Sequence, residues 1–95
     1  MTEYLIRPND TDSFLKVDAE TLSGALQEYG ALPTDGPGDY RYKIGQAELA
    51  IAYEEPGLQV WFEGDTEQQS CDEIVEAIAE SLVKDNPTGT YVVPL

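Results

Sequence analysis

Tyr40-Arg41-Tyr42-Lys43-Ile44-Gly45-Gln46-Ala47-Glu48-Leu49-Ala50-Ile51 is the stretch that decides the fold. On both sides of Gly45-Gln46 the side chains alternate with a period of two, as in half-buried strands joined by a hairpin. Glycine at the first turn position suits a type II′ turn, whose twist matches that of the flanking strands. Setting Ile44 opposite Ala47 places Lys43 against Glu48, Tyr42 against Leu49, Arg41 against Ala50 and Tyr40 against Ile51. Lys43 then meets Glu48 and the apolar pairs meet each other, with Arg41 opposite the small Ala50, which supports the register. Downstream, Glu55-Pro56-Gly57-Leu58 reads as a type II turn with Pro and Gly at its centre. That turn predicts Tyr53 beside Val60, Ala52 beside Trp61 and Ile51 beside Phe62. Both turns put Tyr40, Tyr42, Leu49, Ile51, Tyr53, Val60 and Phe62 on one face, the expected core side of a three-stranded meander.

Toward the N-terminus, Asp18 is placed to cap a helix whose apolar positions Leu22, Ala25, Leu26 and Tyr29 recur at helical spacing, with Gly30 ending it. Gly24 either weakens that helix or marks a close contact with the sheet. Glu3–Arg7 reads as a first strand, and Phe14–Val17 as an optional second one. The Pro- and Gly-rich run 31–38 is a loop. Toward the C-terminus, a second helix starts at Asp65 or at Ser70, where Ser70 and Glu73 fit a capping box. Its apolar stripe is Cys71, Ile74, Val75, Ile78 and Leu82; Asn86-Pro87-Thr88-Gly89 breaks it, and Thr90–Val93 is a last strand. The expectation is a single α+β domain over residues 1–95. Its antiparallel meander (39–63) is extended by N- and C-terminal strands and joined by helices over 18–29 and 66–85, in the order β(β)αβββαβ.

Charge restricts what such a domain binds. Among 95 residues there are 19 acids and five bases, a formal net charge of −14. No Lys or Arg falls between Lys43 and Lys84, a stretch that holds ten acids. Such a field repels nucleic-acid phosphates and anionic lipid, and it attracts a basic protein. The N-terminus lacks the pattern of a signal peptide, and no run approaches the roughly 20 apolar residues that span a bilayer. The expected setting is therefore the cytoplasm, as a monomer or weak homodimer.

Catalytic motifs are missing from the sequence. There is no histidine, so Ser-His and Cys-His pairs are excluded along with the commonest metal ligand. The single cysteine, Cys71, lies on an apolar helix stripe beside Asp72 and Glu73, where a buried structural role is expected. Asn9-Asp10-Thr11-Asp12 begins like a calcium loop but lacks the glycine and the later ligands. Gly36-Pro37-Gly38 has no GK[ST] ending and is no phosphate loop. No enzyme activity, metal site or cofactor is expected.

Three features remain as candidates for partner binding. Asp72, Glu76 and Glu80 lie at i, i+4 and i+8, with Glu73 alongside, as an acidic row opposite the apolar stripe of the second helix. Trp61 points to the sheet face opposite the tyrosines, among small residues and the cations Arg41 and Lys43. The loop 31–38 comes third. These features favour a non-enzymatic interaction module of inhibitor, immunity-like, chaperone-like or nucleic-acid-mimic type, meeting a basic partner through its acidic surface. The alternatives are a regulatory domain binding a small ligand or metal, and a small enzyme using carboxylates, Lys and Tyr.

Overall fold

A computed structural model describes residues 2–10, 14–54, 57–64 and 67–95. The chain runs β1 (Thr2–Pro8), α1 (Ala19–Gln27), β2 (Leu32–Pro33), β3 (Tyr40–Ile44), β4 (Ala47–Glu54), β5 (Gly57–Glu63), α2 (Gln68–Leu82) and β6 (Thr90–Pro94). The strands form one six-stranded sheet in the order β2-β3-β4-β5-β1-β6, and every pairing is antiparallel. This is the expected α+β architecture, with the first strand inserted between the meander and the last one.

The β3–β4 hairpin has the register read from its sequence, Tyr40↔Ile51 through Ile44↔Ala47. Gly45 adopts a φ of 60° while Gln46 does not turn positive, as a type II′ turn requires. The second hairpin differs. Glu54 pairs with Gly57 and Ile51 with Val60, so Phe62 stands opposite Leu49 rather than Ile51. The register is shifted by two residues from the expected one. Glu55 and Pro56, which the expected type II turn includes, lie outside the described residues. Gly57 belongs to the strand, where a Cβ would sit 2.0 Å from the carbonyl oxygen of Ile6. It is glycine so that β1 can approach, not so that the chain can turn.

A shift of two preserves the alternation, so the expected face survives, except that Tyr53 at its edge is exposed and Tyr40 is only partly buried. Tyr42, Leu49, Ile51, Val60 and Phe62 are buried, joined by Leu58 and by Tyr4 and Ile6 of β1. Leu22 and Leu26 of α1 and Cys71, Ile74, Val75, Ile78 and Leu82 of α2 pack on this face in one continuous cluster. Tyr4 and Phe62 meet edge to face, with ring centroids 6.2 Å apart.

Three local expectations are corrected. No strand forms over Phe14–Val17: Phe14 is exposed, and the segment is held by the buried Asn86 instead. The Asn86 amide accepts from Lys16 N–H at 2.9 Å and donates to the carbonyls of Lys16 and Leu82 at 2.7 and 2.8 Å. One side chain thus does what a neighbouring strand would do. Ser70 does not cap α2, because the helix is already running there, with Glu67 at the cap position and Cys71 N–H bonded to its carbonyl. The run 31–38 is not wholly loop, since Leu32 and Pro33 pair with Lys43 and Tyr42. Asp18 does occupy the cap position of α1, and its carboxylate accepts from the Thr21 hydroxyl at 2.8 Å, which lowers its pKa. Asp65 as a helix start, and Thr11 and Asp12 of the calcium-like run, lie outside the described residues.

Candidate functional site

Helix α2 buries one stripe on the sheet and turns the opposite one outward, because its apolar residues recur every three to four positions. Asp72, Glu73, Glu76 and Glu80 are all exposed on that outer side. Glu76 and Glu80 form a ridge with a hollow on each flank. On one flank, Glu73 and Tyr29 help to line a space of about 490 Å³. On the other, the ridge faces Thr90, Tyr91 and Val92 of β6 across about 320 Å³. Tyr4 donates its hydroxyl to Asp72 Oδ1 at 2.5 Å, which ties the start of this acidic row to β1. Among the described residues, Glu73, Glu76 and Glu80 have no ion-pair partner within 4.0 Å. α2 also carries no basic residue in its last turn to balance them.

Trp61, Arg41 and Lys43 lie on the far side of the sheet, so the seven candidate residues divide into two separate surfaces. Lys43 is exposed. Arg41 is almost fully buried, its side chain 7 % exposed. Its Nε donates to Glu48 Oε1 at 2.9 Å, one terminal nitrogen pairs with Glu63, and the other donates to the Pro37 carbonyl at 3.2 Å. Trp61 is half-buried and donates its indole N–H to Glu63 Oε1 at 3.2 Å. The bonds that Arg41 donates to Glu48 and then to Glu63 raise its pKa, while those that Glu63 accepts from Arg41 and then Trp61 lower its own.

Residues 36–38 close over this group. A Cβ on Gly36 would strike the Arg41 side chain at 2.5 Å, and one on Gly38 would lie 3.4 Å from the Trp61 ring. Trp61 is thus partly covered by the backbone around Gly38. The sequence signal for this group was Arg41 and Glu63 flanking Trp61 on one face, but the two-residue register difference hid the Glu48–Glu63 pairing.

Elsewhere, Cys71 is fully buried within the core. Two further tyrosine hydroxyls are used internally: Tyr42 shares a hydrogen bond with Ser23, and Tyr53 donates to the Leu15 carbonyl. Burial pushes the Tyr40 phenol up. An apolar cavity of about 270 Å³ lies between the β3–β4 hairpin and the start of α2, lined by Ile44, Ala47, Leu49, Phe62 and Ile74 with Glu67 and Ser70. Among the described residues, no group of three Cys, Asp or Glu converges as a metal site would require. No helix among them is long and apolar enough to cross a membrane.

Fold and surface together define a two-layer α+β domain with an acidic helix presented on its outer side. No family model, curated protein or solved structure matches this chain.

Proposed function

We propose that this protein is a non-enzymatic interaction module that binds a basic protein partner through the outer face of α2, in a cytoplasmic setting. The observation that carries the reading is the uncompensated row Glu73, Glu76 and Glu80, which stands exposed between two hollows on a chain of net charge −14. Like charges at this spacing work against the helix, so the row has a cost that folding does not recover. A complementary basic surface would remove that repulsion and would be drawn in by the field. Arg41 supports the same assignment from the other side, since its charge is spent inside the fold on Glu48 and Glu63.

The test is affinity capture from native lysate at low salt, using the wild type and the Glu73→Gln, Glu76→Gln, Glu80→Gln triple variant. Basic proteins retained by the wild type and released by a salt gradient should be lost from the variant. For a partner so recovered, the variant should show a slower on-rate and a flatter salt dependence. An unchanged set of captured proteins would refute the assignment.

A second reading, a small apolar ligand, is favoured by the cavity beside Ile44 and Phe62. Ile44→Trp should fill that space and abolish any thermal stabilisation such a compound gives.

A further inference from the structure

Strand β6 forms one edge of the sheet, and its backbone groups can be assigned from the pairing alone. Leu95 N–H donates to Glu3 O and Asn9 N–H to Gly89 O, so the hydrogen-bonded pairs with β1 fall on the odd-numbered residues of β6. The even-numbered Thr90, Val92 and Pro94 therefore aim their backbone groups away from the sheet. Thr90 and Val92 offer an N–H and a carbonyl each, and Pro94 a carbonyl only. The opposite edge, β2, is two residues long and contains Pro33, so β6 is the edge with room for a further strand.

What lies beside this edge selects the strand that would join it. The side chains of Thr90, Val92 and Pro94 share the sheet face covered by α2. One hollow of about 270 Å³ brings Asp72 and Glu76 together with Val92 and Pro94. Its neighbour brings Glu76 and Glu80 together with Thr90 and Val92. The acidic ridge thus runs along the edge in the opposite direction to β6. Four residues of helix rise about 6 Å and two residues of strand about 6.8 Å, so alternate residues of an added strand stay in step with the acids.

We infer that the free edge of β6 and the Glu76–Glu80 ridge form one docking site for an extended segment that adds as an antiparallel strand, with Lys or Arg at alternate positions facing α2. This rests on the basic-partner reading above and specifies how that partner is held. The intervening side chains would lie beside Tyr91 and Val93, where apolar residues fit. Backbone bonds supply affinity, and the alternate cations supply specificity. A second copy of this chain is the poorer occupant, because edge-to-edge pairing would bring two ridges of the same sign together.

The probe is a capped, labelled peptide of alternating lysine and valine, compared with an isomer carrying the same lysines and valines in two blocks. At low salt the alternating peptide should bind at least tenfold more tightly. In an antiparallel addition the lysine amides face β6, so N-methylating them should remove the difference while N-methylating the valine amides leaves it. Thr90 and Val92 amides should become protected from hydrogen exchange. Glu76→Gln with Glu80→Gln should weaken the alternating peptide about tenfold, as two partly exposed charge contacts would give.

Equal binding of both isomers, weakened equally by the Gln variant, would overturn strand addition and leave the basic-partner reading standing. Tight binding of the alternating peptide that ignores the Gln variant would overturn the charge reading and this inference with it. Binding of neither peptide would overturn both.

Discussion

Glu48 on β4 and Glu63 on β5 are direct cross-strand partners, and the guanidinium of Arg41 bridges the two carboxylates. Two like charges in opposed positions destabilise a sheet unless something neutralises them. Here a single buried cation does so, and it also ties the Pro37 carbonyl to the sheet.

Arg41→Ala should therefore lower the melting temperature by more than the loss of its packing alone. Part of the loss should return when Glu63→Gln is added in the Arg41→Ala background, because the substitution removes one of the two charges left facing each other. Thermal melts of the wild type, both single variants and the double variant measure this coupling. Equal melting temperatures for Arg41→Ala and the double variant would show that the carboxylates do not repel.

The same group has a defined pH dependence. Glu63 has its pKa lowered in the fold, chiefly by the hydrogen bond from Arg41, from an ordinary value of 4.5. A lowered carboxylate pKa contributes stability that is fully present above the unfolded value and is lost as pH falls through the folded one. The stability gap between wild type and Glu63→Gln should accordingly be constant from neutral pH down to somewhat above 4.5 and close below it. Taking the difference cancels the general relief of acidic repulsion that protonation brings. Paired denaturant titrations across this range measure it, and a gap that widens on acidification would contradict the shift.

Much of this fold was legible because face assignment depends only on parity. Tyr42, Leu49, Val60 and Phe62 fall on the core side whether Ile51 pairs with Phe62 or with Val60. Pair identity depends on the exact register, so the Glu48–Glu63 contact and its bridge were hidden. The glycine that suggested the turn, Gly57, answers instead to a distant strand through the Ile6 carbonyl, a contact that local sequence does not carry. Asn86 substituting for a strand beside Lys16 is equally non-local. The acidic row on α2 was legible as a row because helical spacing is local, but its position beside the edge of β6 depends on the strand order.

For α2, the buried and exposed sides should respond in opposite ways. Ile78 is fully buried, so Ile78→Asp places an unpaired charge in the core and should cost about 4 kcal/mol or more. Glu76→Gln relieves repulsion toward Asp72 and Glu80 and should be neutral or stabilising by a few tenths of a kcal/mol. Chemical denaturation with an unchanged m-value is the check. Comparable losses from the two substitutions would show that the outward acids contribute to folding.

Adding one methyl group at Gly24 or at Gly38 should have effects of opposite sign. Gly24 lies on the exposed side of α1, and a Cβ there meets nothing within 4 Å. A contact with the sheet is therefore not the reason for this glycine, and Gly24→Ala should stabilise by about 0.5–1 kcal/mol through helix propensity and a less flexible unfolded chain. Gly38 has a φ of 109°, and its Cβ would lie 3.1 Å from the Ile51 carbonyl oxygen and against the Trp61 ring. Gly38→Ala should cost about 1–3 kcal/mol and lift residues 36–38 away from the sheet. Trp61 is the sole tryptophan, so its emission reports that lifting directly. A red shift with Gly38→Ala, absent from Gly24→Ala, is the expected result. An unshifted spectrum with full stability would mean that the loop does not seal Trp61, and that this face of the sheet is open to a partner after all.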